Sequence, residues 1–189
     1  MLAADYGAHL LLEEFVDNPF LPLFYAAPDK YAFHAEVHFM LDRQAQIREA
    51  LNAQAQHQQL TISDYILNKS LLYAEVNLEH EEFLLFRRLF EQIFPIVPPP
   101  DLLVYVHATV PRLIKNIQKR GRGFEQGVRH HYLQAVEDIY FRYFSENPTL
   151  KILLIHADNV DFVNNKTHYQ QICHCINSNL KPGLNELRI

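Results

Sequence analysis

The sequence lacks three features: a disulfide framework, a membrane-spanning helix and a signal peptide. Its only cysteines are Cys173 and Cys175, which are too few and too closely spaced for a disulfide framework, so the simplest setting is a reducing cytoplasm. No apolar run approaches the roughly 20 residues of a membrane-spanning helix. The amino-terminal stretch MLAADYGAHLLLEEF lacks the basic region and the small-residue cleavage site of a signal peptide. We therefore expect a soluble cytoplasmic protein.

An excess of positive charge is also absent. The 17 Lys and Arg residues are outnumbered by 22 Asp and Glu residues, and the net charge is -5. This balance argues against nonspecific binding to nucleic acid or to an anionic membrane. Any anion site must therefore be a local one.

The chain of 189 residues is 49% hydrophobic and has no compositional break, so residues 1–189 are expected to form a single domain. Short apolar runs predict buried strands, and longer stretches with helical periodicity predict helices. The strands are expected at residues 9–14, 60–63, 102–108 and 151–157, and the helices at residues 31–54, 64–77, 81–94, 111–120, 128–144 and 166–177. This alternation is typical of an α/β fold with a parallel sheet flanked by helices.

Polar residues follow the predicted strands, at the carboxyl ends where open parallel sheets bind their ligands. They are Glu13 and Glu14, Ser63 and Asp64, residues 107–109 and residues 156–158. Successive side chains of a strand point to opposite faces, so only one of the two glutamates can face a shared pocket. A carboxylate there can act as a general base towards a hydroxyl group. A solvated acid at a strand end is the alternative.

The segment after the first strand combines aromatic residues with turn-forming ones. Residues 15–25, FVDNPFLPLFY, predict an ordered loop. On the next helix, Phe33, Glu36 and Arg43 are spaced three and seven residues apart, which puts them on one face. A ring, an acid and a guanidinium on one face can stack against and hydrogen-bond a planar ring. An amphipathic face with one ion pair is the alternative.

The stretch KRGRGFEQG, residues 119–127, concentrates positive charge around a glycine. A basic helix terminus that compensates the macrodipole accounts for Lys119 and Arg120 but not for Arg122, beyond Gly121. Arginine side chains bind phosphate oxygens bidentately, and glycines allow a lid to close. This stretch therefore predicts a phosphate-binding lid.

Histidine and cysteine residues cluster without the paired spacing of a structural zinc site. The groups in question are His34 with His38 and, near the end of the chain, His168, Cys173, His174 and Cys175. We therefore predict that neither group binds a metal.

Several blocks together resemble the deoxynucleoside kinase family, whose members phosphorylate the 5′-hydroxyl of deoxynucleosides with ATP. They are EEFVDNPFLPLFY, YAFHAEVHFMLDR, TISDYILNKSLLYAEVNL, PPPDLLVYVHA, KRGRGFEQ and DNVDFVNN. The resemblance implies a P-loop-kinase-like parallel sheet flanked by helices and a role in nucleotide salvage. It also implies ATP as donor, Mg2+, and a cytoplasmic homodimer that binds a deoxynucleoside but no nucleic acid or membrane.

The resemblance also implies roles for particular residues. Glu13 corresponds to the general base for the 5′-hydroxyl, and Arg120 and Arg122 correspond to the lid arginines around the transferring phosphoryl group. Phosphoryl transfer requires mainly positioning and charge neutralisation, which such residues can provide.

The implied substrate-binding residues are Tyr25, Phe33, Glu36, Arg43 and Glu125. Tyr25 and Glu125 match the pair that holds the sugar 3′-hydroxyl, and Phe33 matches the aromatic ring beneath the base. Glu36 stands where the family usually has a glutamine. Because a carboxylate only accepts hydrogen bonds, it suits an edge with two donors, such as that of guanine. We expect a purine preference that includes deoxyguanosine.

Two further features depart from the family pattern. ISDY replaces the family's Glu-Arg-Ser block, so Lys69 or Arg43 is expected to supply the cation near Glu13. The family's G-x-x-x-x-G-K-[ST] loop is also missing, because no glycine precedes a Lys-Ser or Lys-Thr pair. We expect the first, central strand and this loop to be absent, about 20 residues in all. We therefore expect the 189-residue chain to bind ATP poorly or not at all and to be inactive as a kinase.

Two other interpretations remain open. A non-catalytic relative would keep the nucleoside pocket and the dimer surface and would work by binding. A nucleoside monophosphate kinase such as thymidylate kinase shares the sheet and the lid, but it fits the NPFLPLFY and FEQG blocks less well.

Overall fold

The computed structural model describes residues 1–13, 18–57, 60–94 and 98–189, with the backbone alone described at residues 51–57. Its residues group into two compact units, Met1–Val97 and Pro98–Ile189. No described helix is long and apolar enough to cross a membrane. The single domain predicted from chain length stays a prediction.

The first unit is mainly helical, with one pair of short strands. Its elements are α1 (Leu2–Asp5), β1 (His9–Leu11), α2 (Leu21–Ala26), α3 (Pro28–His57), β2 (Thr61–Ser63), α4 (Lys69–Asn77) and α5 (His80–Ile93). β1 and β2 pair in parallel, with His9 opposite Thr61 and Leu11 opposite Ser63. The carboxyl ends of the two strands therefore lie side by side, as the parallel arrangement requires.

Apolar residues of α3, α4 and α5 form the main core of the first unit. Met40, Ala74, Phe86 and Phe90 are buried together. Phe86 and Phe90 stand four residues apart in the sequence, so both fall on one face of α5. Burying a side chain as large as that of Phe86 contributes about 1.5–3 kcal/mol. This packing fixes the faces of α3 and α4 that carry the polar residues described below.

The second unit contains the longer sheet. Its elements are β3 (Leu103–His107), α6 (Val110–Arg120), a 3-10 turn (Gly123–Glu125), α7 (His130–Glu146), β4 (Lys151–His156), α8 (Lys166–Ile176) and β5 (Gly183–Arg188). Their order in the sheet is β3-β4-β5, and both pairings are parallel. Ile152, Leu153, Leu154 and Ile155 of β4 are all buried, as expected of a strand with neighbours on both sides and covered faces.

The parallel pairing and the helices between strands confirm the predicted α/β class. All four predicted strands form, and all six predicted helices form with shifted ends. The largest shift is in α4, which begins at Lys69 instead of residue 64 because residues 64–68 form turns. The absence of a first, central strand stays a prediction.

The predicted ranges do not include α1, α2, the 3-10 turn or β5. The expected loop at residues 15–25 contains α2, which Pro22 can begin because the first helical positions need no N–H donor. β5 escaped detection because GLNELR has no apolar run, and its residues alternate between partly buried and exposed. Glu14 and residues 15–17 lie outside the described residues.

Candidate active site

Glu13 follows β1 and is fixed to the end of β2 by its own backbone. Its N–H donates to Oδ1 of Asp64 at 2.9 Å. Asp64 directly follows β2, so this bond joins the carboxyl ends of the two paired strands. Two of the polar residues that the sequence predicts at strand ends therefore meet.

The carboxylate of Glu13 lies between two cations. Nε of Arg43 donates to Oε1 at 2.9 Å, and Nη2 of Arg43 donates to the same oxygen. Nζ of Lys69 donates to Oε2 at 2.6 Å. The guanidinium of Arg43 is buried and is held in turn by a bond from Nη1 to Oγ of Ser70 at 2.6 Å. The structure thus brings both cations considered for this position to Glu13.

This arrangement keeps Glu13 ionised. Burial acts to raise the pKa of Glu13, but the charges and hydrogen bonds of Arg43 and Lys69 outweigh burial and lower it below its usual 4.5. The carboxylate is therefore charged at neutral pH, and it is only partly exposed. An ionised acid in a fixed position can accept a hydrogen bond, and then a proton, from a substrate hydroxyl.

Glu36 has the opposite electrostatic environment. It is 5% exposed, and Oε1 accepts a hydrogen bond of 2.7 Å from Nδ2 of Asn77. Burial raises its pKa from 4.5 to about 7, although the Asn77 bond and the more distant charges of Arg43 and Lys69 oppose the rise. Glu36 is therefore present in both the neutral and the ionised form near neutral pH.

These contacts connect α3 with α4 in a regular way. Glu36 bonds Asn77, and Arg43 bonds Ser70. Glu36 and Arg43 are seven residues apart on α3, and Ser70 and Asn77 are seven residues apart on α4, which is about two helical turns. The earlier residue on α3 contacts the later residue on α4, and the later residue on α3 contacts the earlier one on α4. The two helices therefore run antiparallel.

The sequence missed Ser70 and Asn77 as members of this cluster. The sequence contained a signal for them, because Ser70 and Asn77 are seven residues apart, as are Glu36 and Arg43. The sequence does not show that the two helices face each other.

The aromatic residues predicted to bind substrate lie on α2 and α3. Phe33 packs edge-on against Phe86, with 6.4 Å between ring centroids. Tyr25 stands on α2 and packs against Phe24 at 5.2 Å. α2 is anchored to α3 by Asn18, whose Nδ2 donates to the carbonyl oxygen of Ala35 at 3.1 Å.

The predicted lid lies in the second unit and begins where α6 ends. Gly121 caps this helix with φ of 72°, a left-handed conformation that glycine adopts without a steric penalty. Nη1 of Arg122 donates to Oε1 of Glu125 at 3.0 Å, and Nη2 of Arg120 donates to Oε2. Glu125 is buried. The two arginines and Glu125 thus form one cluster, with the arginines held by a carboxylate.

Further polar residues meet at the carboxyl ends of β3 and β4. The rings of His107 and His156 lie 5.7 Å apart. His107 contacts Glu137, and Oδ1 of Asp158 accepts bonds from the backbone and side chain of Thr109 at 3.0 and 2.9 Å. Among the described residues, no three histidine, cysteine or acidic side chains are arranged to hold a metal.

Comparison with known proteins gives one consistent result. A sequence model of the family described as deoxynucleoside kinase matches residues 1–181. The deoxyguanosine kinase of Bacillus subtilis (strain 168) is 28% identical over 176 residues, which cover 91% of this chain and 85% of that protein. The deoxyadenosine kinase of Lactobacillus acidophilus is 28% identical over 196 residues, which cover 96% and 88% of the two chains.

A solved structure of deoxyadenosine kinase from M. mycoides with bound dCTP is also similar. It matches with a TM-score of 0.78 and 17% identity over 93% of this chain and 89% of that one. At this identity, the likeness shows a common fold.

Proposed function

This chain belongs to the deoxynucleoside kinase family, and we propose that it acts in nucleotide salvage by transferring the γ-phosphoryl group of ATP to the 5′-hydroxyl of a purine deoxynucleoside. The observation that carries the proposal is the ionised Glu13, held between Arg43 and Lys69. The similarity to proteins named deoxyguanosine kinase and deoxyadenosine kinase supports the choice of a purine.

Glu13 is the proposed general base. It takes the proton of the 5′-hydroxyl as the hydroxyl oxygen forms a bond to the γ-phosphorus of ATP, and the bond from that phosphorus to the β-γ bridging oxygen breaks. ADP leaves with the electron pair of the broken bond. Arg43 and Lys69 fix the carboxylate in place, and general base catalysis by a positioned side chain is worth about 10²–10⁴-fold in rate.

Arg120 and Arg122 are the proposed ligands of the transferring phosphoryl group. Each guanidinium group donates a bond to Glu125, so binding ATP would replace these carboxylate contacts with contacts to phosphate oxygens, which arginine can bind bidentately. Glu125 is then available for its proposed partner, the sugar 3′-hydroxyl, together with Tyr25. Mg2+ is expected to accompany ATP and would be held mainly by phosphate oxygens and waters, since the described residues contain no group of three metal-binding side chains.

Base recognition is proposed for Phe33 and Glu36, with Arg43 on the same helix face. The ring of Phe33 would lie against the base. Ionised Glu36 accepts two hydrogen bonds and therefore fits the N1–H and 2-amino groups of guanine. This supports deoxyguanosine as a substrate.

Residues 1–189 contain no G-x-x-x-x-G-K-[ST] sequence, and we propose that by themselves they bind ATP weakly. The backbone N–H groups and the lysine of such a loop supply most of the phosphate contacts in P-loop enzymes. The codons upstream of Met1 provide a direct check, because an in-frame strand and loop there would yield a longer chain for comparison.

We also propose a homodimer. The apolar faces predicted at residues 31–54 and 81–94 largely form the shared core of the first unit, because Met40, Phe86 and Phe90 are buried there. Leu41 on α3 and Leu85 and Leu89 on α5 remain exposed. These three leucines are the surface proposed to contact a second copy.

Equilibrium dialysis with the four deoxynucleosides, followed by assays with γ-labelled ATP, tests the proposed function. We expect purine deoxynucleosides to bind and to accept label, with weak label transfer by residues 1–189 and stronger transfer by any longer chain. Glu13→Gln should retain binding and lose transfer. Absence of binding by all four deoxynucleosides would contradict the proposal.

The same assay separates the alternatives. Transfer to a deoxynucleoside monophosphate in preference to the nucleoside would favour a monophosphate kinase. Nucleoside binding without transfer by any longer chain would favour the non-catalytic relative.

A further inference from the structure

The carboxyl group of Glu36 is unusual because it is buried with a neutral donor as its bonded partner. Nδ2 of Asn77 donates to Oε1 at 2.7 Å. Arg43 stands seven residues further along α3, but its guanidinium donates to Glu13 and Ser70. No described cation bonds Glu36, and the amide bond from Asn77 does not replace the solvation that a buried carboxylate loses, so its neutral form is favoured.

The charged groups that act on Glu36 can be named element by element. Arg43 on α3 and Lys69 on α4 favour ionisation, whereas Glu13 after β1 opposes it. The nearby parts of α2 and α5 contribute apolar contacts, with Phe24 packed near Ala35 and with Phe86 against Phe33. Burial raises the pKa of Glu36 to about 7, because the Asn77 bond and the charges of Arg43 and Lys69 oppose the rise only in part.

The two forms of Glu36 present different hydrogen-bonding patterns. The ionised carboxylate has two acceptors, which fit the N1–H and 2-amino donors of guanine. The neutral acid has one donor and one acceptor, which fit the N1 acceptor and 6-amino donor of adenine. Because Oε1 already accepts from Asn77, the proton of the neutral form belongs on Oε2.

We propose that Glu36 and Asn77 together select the base, so that this site binds deoxyadenosine through neutral Glu36 and deoxyguanosine through ionised Glu36. This inference rests on the proposed function, because it requires a nucleoside base to reach Glu36. Phe33 lies three residues before Glu36, and residues with this spacing are neighbours on a helix surface. A base stacked on Phe33 is therefore close to the carboxyl group that reads it.

The proposal makes a quantitative prediction for binding. Between about pH 6 and about pH 8, the ionised fraction of a group that titrates midway rises about tenfold and the neutral fraction falls about tenfold. The affinity for deoxyguanosine should therefore rise about tenfold and that for deoxyadenosine should fall about tenfold, because neither base titrates in this range. The ratio of the two affinities changes by about 100-fold.

The experiment is equilibrium dialysis of the 189-residue chain with labelled deoxyguanosine and deoxyadenosine across this pH range. It needs no ATP, so it does not depend on the phosphate-donor site. The ratio of the two affinities at each pH cancels effects of other titrating groups that alter both nucleosides equally. Circular dichroism of each variant verifies that it is folded.

Two variants test the named residues. Glu36→Gln has one donor and one acceptor at every pH, so it should favour deoxyadenosine with a ratio that does not change with pH. Asn77→Ala removes a donor that stabilises the ionised form, so the pH at which the two affinities cross should move upwards. Glu49→Gln is the matched control, since Glu49 is an exposed acid on the same helix, and it should behave as the wild type.

The outcomes are distinguishable. If deoxynucleosides bind but the ratio of the two affinities stays constant with pH in the wild type, the proposal that the protonation state of Glu36 selects the base is wrong. The proposed function then still stands. The proposed role of Glu36 is also excluded if the ratio of the two affinities changes with pH equally in the wild type and in Glu36→Gln. If neither nucleoside binds at any pH, the proposed function is wrong, and so is the proposed role of Glu36 in selecting the base.

Discussion

The pKa values of Glu13 and Glu36, both in the first unit, are shifted in opposite directions because their bonded partners differ. Burial opposes the charge of both Glu13 and Glu36, but Glu13 has a cation on each carboxylate oxygen, whereas the bonded partner of Glu36 among the described residues is a neutral amide. The pKa of Glu13 is therefore lowered and that of Glu36 is raised to about 7. The direction of a pKa shift here is decided by the bonded partner, because desolvation has the same sign for every acid.

At the residue scale, Lys69→Met should raise the pKa of Glu13, because it removes one of the two cations that outweigh burial. Lys69→Arg should keep the pKa low. The measurement is a carbon-13 NMR titration of the Glu13 carboxyl group, with Lys30→Met as a control on an exposed lysine of the same unit. An unchanged titration in Lys69→Met would show that Arg43 alone sets the charge of Glu13.

A second prediction at this scale concerns stability. The folded-state pKa of Glu36 is raised above its usual 4.5, so the neutral acid stabilises the fold at low pH and this contribution is lost as pH rises through about 7. Glu36→Gln does not titrate. Its free energy of unfolding relative to the wild type should therefore increase by roughly 3 kcal/mol across this window.

Urea unfolding at a series of pH values measures this difference. Glu49→Gln should follow the wild type, because Glu49 is exposed on α3. Equal pH dependence of Glu36→Gln and the wild type would mean that folding does not raise the pKa of Glu36.

At the scale of elements, the end of α6 determines where the lid begins. Gly121 has φ of 72°, and a Cβ atom added there would meet no heavy atom within 4 Å. The cost of Gly121→Ala is therefore backbone strain alone, about 1–2 kcal/mol. The change should mainly loosen the last turn of α6, where the N–H of Gly121 donates to the carbonyl oxygen of Ile117 at 3.2 Å.

Amide hydrogen exchange in the last turn of α6 tests this prediction. An energy of 1–2 kcal/mol corresponds to exchange about 5- to 30-fold faster in Gly121→Ala. Gly123→Ala is the matched control, because Gly123 has no positive φ and is equally open around its Cβ position. Equal exchange in the two variants would exclude backbone strain as the reason for glycine at position 121.

At the scale of the whole molecule, the proposed homodimer depends on Leu41, Leu85 and Leu89. Leu85 is 49% exposed, and a glutamate in its place would have to be buried against an apolar partner surface. We expect Leu85→Glu to weaken dimerisation by about thirtyfold or more. Sedimentation velocity over a concentration series measures the change.

Gln92→Glu provides the control, since it adds the same charge at an exposed position of α5 and should leave dimerisation nearly intact. A wild-type chain that stays monomeric at the highest concentration would contradict the homodimer. A dimer unaffected by Leu85→Glu would place the interface on another surface.

The sequence determined the α/β class, the approximate position of most elements and the family. Apolar runs and helical periodicity are local properties, so β4 and α5 could be predicted from them. β5 could not, because its alternating residues resemble a surface loop until they pair with β4. The family resemblance is confirmed by the match over residues 1–181.

The tertiary structure decided which side chains bond one another. Glu13, Arg43 and Lys69 are far apart in the chain, and only the packing of α3 and α4 beside β1 brings both cations to one carboxylate. The pairing of Glu36 with Asn77 arises in the same way. Sequence fixes which groups can ionise, but burial and neighbours determine their pKa, and both come from contacts between distant residues.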